Sequence, residues 1–131
     1  MRAALRGGLG AVLAFSLAGS LPALAQGTPQ EHLAANFEIL IIGQVKATKV
    51  IPERDQRRTA DCLSKALAAD VPDADANKLS AIFEGRAPKN PALQKKWLTI
   101  TKAEAPARNA QVLARVDKMC ADLGPYVRGM L

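Results

Sequence analysis

Prolines stand at Pro29, Pro52, Pro72, Pro91 and Pro106, each just ahead of an apolar pattern with helical spacing. Proline is tolerated in the first turn of a helix, where its missing N–H would have no partner, and it breaks a helix anywhere further in. A chain divided this way cannot form one long rod. It must make several short helices and bury their apolar sides against one another. Thr28-Pro29-Gln30-Glu31 reads as a capping box, and Leu33, Phe37, Leu40, Ile41 and Val45 then carry a first helix to about Lys49. Pro52 opens a second helix, to about Asp70, with Glu53 and Asp55 in the turn where acids meet the positive end of the helix dipole. Val71-Pro72-Asp73 is a turn, and Asp73 is placed to cap a third helix that carries Leu79, Ile82 and Phe83 and stops at Gly85. Asn90-Pro91 starts a fourth, with Leu93, Trp97 and Ile100 on one face. Pro106 starts a fifth, whose stripe of Leu113, Val116, Cys120 and Leu123 runs to a stop at Gly124-Pro125, leaving Tyr126 to Leu131 to pack or fray. Phe37 to Ile42 is β-branched and apolar enough for a buried strand, yet no other segment could pair with it. The expectation is an all-α, compact bundle of about five short helices.

Ahead of that bundle, residues 1–25 have the build of a secretory signal peptide. Arg2 and Arg6 give a positive start, Leu9 to Leu17 is apolar or small, and Ala23-Leu24-Ala25 supplies small residues around a cleavage point before Gln26. The apolar run is shorter than the roughly 20 residues a membrane span needs. The expected organisation is therefore signal peptide 1–25, then a single small helical domain at 26–131, exported to the periplasm or beyond the cell. Removing Arg2 and Arg6 leaves 16 basic and 12 acidic residues, a net charge of +4. That mild excess suits weak attraction to anionic surfaces and carries no implication of nucleic acid, whose readers interleave aromatic with basic residues. No second run is long enough for a transmembrane segment in the mature chain.

Both cysteines, Cys62 and Cys120, fall in the mature part, each on an apolar helical face. In an oxidising compartment an even pair favours a disulfide. Closing so long a loop would restrict the unfolded chain by roughly 4 kcal/mol. One histidine and the lack of a Cys-x-x-Cys pair leave too few ligands for a zinc site.

Few residues tempt a functional assignment. Asp73-x-Asp75-x-Asn77 with Glu84 at the twelfth position has the oxygen ligands of an EF-hand loop, but its sixth position is Lys78 where the sharp turn needs glycine. A capped third helix is the stronger reading, and calcium binding a distant one. Lys46, Lys49, Arg54, Arg57 and Arg58 form a basic patch, interleaved with Glu53, Asp55 and Asp61 as on a solvated face. His32 has no nucleophile or second ligand near it in sequence, and Trp97 reads as a core anchor. No haem-attachment motif or phosphate loop is present, and no catalytic residue, metal site or cofactor is expected. The first helix is apolar on two faces. Leu33, Phe37, Leu40 and Ile41 lie on one side, and Ile39 and Ile42 on roughly the other, which marks them as candidates for contact with a partner or a second copy of the chain. The expectation is a small exported, non-enzymatic binding or accessory protein that acts through an apolar helical face. An acid-stress chaperone of the periplasm, by analogy of architecture alone, is the runner-up.

Overall fold

Each proline-marked break becomes a turn between helices in the computed structural model, which describes residues 27–131. The expected signal peptide, residues 1–25, lies outside the described part. All regular structure among the described residues is helical: α1 (Pro29–Ala47), α2 (Glu53–Ala68), α3 (Asp73–Phe83), α4 (Pro91–Leu98), α5 (Pro106–Met119), a 3-10 turn (Ala121–Leu123) and α6 (Gly124–Met130).

The starts of α1 and α4 follow the local chemistry. At α1 the Glu31 N–H donates to Thr28 Oγ1 (3.1 Å), and the Thr28 N–H donates back to the Glu31 carboxylate (3.0 Å), closing a capping box. Gly27, at φ 73°, leads into it. A Cβ there would lie 2.1 Å from the Glu31 carboxylate oxygen, so another residue would have to push that carboxylate out of the capping box and take a left-handed backbone. At α4 the Leu93 N–H donates to the Asn90 side chain at 3.1 Å. The start of α3 differs from expectation. Asp73 is the first helical residue, after Pro72, and no side chain caps that end. Asp73 instead accepts a bond from Gln30 of α1 at 2.8 Å. Gly85, at φ 75°, ends the α3 region in the left-handed conformation that disfavours residues with a Cβ.

The core forms where α1 packs on α2 and α3, with α5 and α6 closing the far side of α2. Leu33, Phe37, Ile41 and Val45 of α1 meet Leu63, Ala66 and Leu67 of α2, Ala76 and Leu79 of α3, Val112 and Val116 of α5, and Val127 of α6, all buried. Phe37 and Phe83 meet edge to face, with centroids 5.7 Å apart. Two polar residues on the buried side of α2 are satisfied by their own helix: Thr59 Oγ1 donates to the Asp55 carbonyl and Ser64 Oγ to that of Ala60.

Cys62 and Cys120 are joined in a disulfide, with their Cα atoms 6.5 Å apart across a sequence separation of 58. Cys62 is buried on α2, as the pattern requires, but Cys120 is not within a helix. The backbone breaks at Cys120 (φ −156°) and the chain turns through Ala121–Leu123 into α6. The fifth helix is thus shorter than the stripe implied, and its buried face is rotated to Arg108, Asn109, Val112 and Val116. Gly124-Pro125 begins a sixth helix instead of ending the fifth. Proline is as acceptable in a first turn here as at the other starts, and Val127 then anchors the C-terminal segment in the core.

Candidate functional site

The first helix turns its inward arc toward α2, but the neighbouring elements do not cover all of that arc. Leu40 falls on the buried side of the helical wheel and is nevertheless 52% exposed. It opens onto a groove of about 510 Å³. Phe37 and Ile41 of α1 and Leu63 and Leu67 of α2 line it, with Leu98 at the end of α4 and Ile100 and Thr101 of the α4–α5 connector on one side and Met130 and Leu131 of the C-terminus on another. Thr99, Gln44 and Glu104 add polar groups. The lining is mainly aliphatic, and its one charged residue, Glu104, is exposed.

The connector wall is held from behind by a buried arginine. Arg108, 8% exposed, heads the inward face of α5. Its Nη1 donates to Asp70 at 2.5 Å, and its Nη2 donates to the carbonyls of Leu67 (2.6 Å) and Trp97 (3.3 Å). Arg115, two turns later on the same face, donates to the Ala66 carbonyl (3.2 Å) and lies 3.2 Å from the other Asp70 oxygen. Two guanidiniums therefore satisfy carbonyls at the C-terminal end of α2 that have no helical partner. Burial pushes the Asp70 carboxyl toward its neutral form, yet the bonds and charges of Arg108 and Arg115 prevail and hold it below the usual carboxylate range. The Arg108 guanidinium also stacks 5.1 Å from the Trp97 ring centroid, and the indole N–H donates to Asp75 of α3 at 3.0 Å. Asn109 donates to the Ile100 carbonyl at 2.5 Å. Trp97, Ile100 and the ends of α2 and α3 are in this way tied to one point on α5.

A second polar cluster joins α1 to the end of α3. Glu84 accepts from Asn36 (2.9 Å) and from the Arg86 guanidinium (2.6 and 3.0 Å), and His32 Nε2 lies 2.5 Å from its Oε2. The hydrogen bonds of Asn36 and Arg86, with a smaller contribution from His32, lower the Glu84 pKa from 4.5 to about 2. An ionised carboxylate only accepts hydrogen bonds, which the Asn36 amide and the Arg86 guanidinium donate. Stability from this cluster is complete above the ordinary carboxylate value and is lost as pH falls through about 2. The difference in melting temperature between the wild type and Glu84→Gln should accordingly shrink as pH is lowered from 4.5 toward 2. A difference that is constant across that window would show that the cluster does not tie α1 to α3.

The residues singled out in the sequence separate in space. Ile39 is 73% exposed on the outer side of α1 and adjoins Leu40, whereas Ile42 is half-buried and packs against the core. Lys46, Lys49, Arg54 and Arg57 are exposed around the α1–α2 turn. Arg58 turns away from them, donating to Asp122 (2.6 Å) and Asp55 (3.0 Å). Asp73, Asp75 and Asn77 lie along α3 and not in a loop, two of them bonded to Gln30 and Trp97, and Glu84 faces His32. Among the described residues, no three His, Cys, Asp or Glu side chains come together as a metal-ion site. Sequence reasoning missed Arg108 and the groove. The signal for Arg108 was a basic residue four positions before Val112 and eight before Val116, in line with an apolar stripe. No known protein family, curated protein or solved structure matches this chain.

Proposed function

We propose that this is an exported, non-enzymatic binding protein that seats a short apolar segment of a partner protein in the groove between α1, α2 and the α4–α5 connector. The observation that carries the reading is a mainly aliphatic groove that leaves Leu40, in its lining, half in solvent, with Ile39 exposed beside it in sequence on α1. A volume of about 510 Å³ is within the range of ligand pockets. Ile39 adds exposed apolar surface on the convex helix outside the groove, where a small molecule would leave it wet and a protein would cover it. The cross-linked fold, with no described helix long and apolar enough to cross a membrane, is compatible with export. The groove's polar groups are hydroxyls, an amide and one exposed carboxylate, a set suited to orienting a bound chain.

Ile39→Asp and Leu40→Asp test this. Both side chains are largely in solvent, so each variant should melt within a few degrees of the wild type. Each should weaken partner binding by about thirtyfold, the size of a contact at the energetic centre of an interface. A photoreactive residue at position 40 should cross-link to one discrete partner in cells. Two folded variants that hold every native partner as the wild type does would remove the groove from the interaction. Ile42→Asp serves as the contrast, because it puts a charge against the core and should destabilise the fold itself.

A further inference from the structure

The turn between α1 and α2 presents its charges outward around one aliphatic side chain. Thr48 ends α1, its N–H and hydroxyl both reaching the Gln44 carbonyl, and the Ile51 N–H donates to the Thr48 carbonyl at 3.1 Å. Ile51 is buried at 2% exposure, which anchors the turn and leaves Val50, its neighbour, 72% exposed at the tip. Lys46 and Lys49 lead into the tip, and Arg54 and Arg57 lead out of it. Among the described residues Lys46, Lys49 and Arg57 form no ion pair, and Arg54 has only a long contact of 3.9 Å with Asp55. Of the nearby acids, Asp55 is engaged by Arg58 and by the Tyr126 hydroxyl, leaving Glu53 as the opposing charge in the exposed stretch.

We propose that this turn rests on an anionic phospholipid surface, with Lys46, Lys49, Arg54 and Arg57 against headgroup phosphates and Val50 lodged among them. Charge complementarity selects an acidic partner, and shape selects the membrane. A protruding tip with one aliphatic side chain ringed by cations suits a broad, deformable anionic plane, whereas an acidic protein would need a matching hollow. The surface is separate from the groove, so the protein could hold its partner while lying on the membrane.

The test uses the protein in the form the cell accumulates, sedimented with vesicles of phosphatidylglycerol in phosphatidylcholine and with vesicles of phosphatidylcholine alone. Partition should favour the anionic vesicles and weaken as salt is raised. Lys46→Gln, Lys49→Gln and Arg57→Gln should each lower it about fivefold, the expected contribution of one basic residue near such a surface. Val50→Asp should lower it further with the melting temperature unchanged. Leu40→Asp, in the groove, should leave it untouched, which separates this proposal from the groove reading. Equal partition onto phosphatidylcholine alone, or insensitivity to the glutamine variants and Val50→Asp, overturns it. So does capture of an acidic protein by these cations while the anionic vesicles remain unbound.

Discussion

Arg108→Ala should cost about 3 kcal/mol, the lower end of the usual loss when one partner of a buried ion pair is removed, because Asp70 is half-buried. At roughly 4 °C per kcal/mol for a domain near 100 residues, the melting temperature should drop by about 12 °C. The magnitude follows from what the substitution strands. Asp70 keeps its charge with only Arg115 beside it, and the Leu67 and Trp97 carbonyls lose their donor. The Trp97 ring loses one of the two cations over it, Lys96 remaining. An exposed pair would behave differently, since ion pairs open to water contribute at most about 1 kcal/mol. Urea unfolding of Arg108→Ala, Asp70→Asn and the double variant separates these cases. In a buried network the double variant should lose clearly less than the two single losses combined, because neither charge is then left without its partner. A single-variant loss under about 1 kcal/mol would make Arg108 an ordinary surface residue and withdraw its role in holding the connector. Arg108→Ala should also weaken partner binding, although Arg108 does not line the groove, because Trp97 and the connector that follows depend on it.

Reading the helix starts from the sequence worked for the first five helices, where a proline stands in the first turn or just ahead of it. The Thr28–Glu31 box, Asn90 with Pro91 and the left-handed Gly85 are local devices, each completed within four residues. The C-terminal part was not legible in the same way. Gly124-Pro125 can end one helix or begin another, and the choice rests with Val127 and Leu123, which gain burial only if the chain turns back onto α2 and α5. The groove escaped for a related reason. Its lining comes from four separate stretches, and one wall is formed by Met130 and Leu131, in a tail with no pattern of its own. On a helical wheel Leu40 belongs with Phe37 and Ile41. It is exposed because nothing covers that part of the arc, and no periodicity within α1 encodes an absent neighbour. Ile42 shows the converse. The wheel places it opposite the core stripe, and the packing around α1 half-buries it. The disulfide lay between these extremes: Cys62 and Cys120 were expected to pair, but Cys120 reaches its partner from a break in the chain and not from the helical stripe first assigned to it.

Replacing both cysteines, Cys62→Ala with Cys120→Ala, should remove about 4 kcal/mol of stability, the chain-entropy value for a closed loop of 58 residues. In a domain whose whole margin is of order 5–15 kcal/mol, this is a large share, and the melting temperature should fall by about 15 °C. The bond joins the middle of α2 to the junction of α5 with the 3-10 turn, ahead of α6. Its loss should therefore be felt unevenly. The contacts of α1 with α2 and α3 are the most extensive in the fold and bury Leu33, Phe37 and Leu79, whereas α6 is short and relies on Leu123 and Val127 for its hold. Hydrogen exchange on the double variant should show α6 opening well before α1 and α2, and the groove should lose the wall formed by Met130 and Leu131. Partner affinity should then fall even at temperatures where most of the fold survives. Uniform loss of protection across all helices would mean that the fold is one cooperative unit, with the bond acting only on the unfolded chain. A variant that melts within a few degrees of the wild type would contradict the entropic argument itself. Thiol alkylation of the wild-type protein, folded and without reductant, supplies the control: neither cysteine should react.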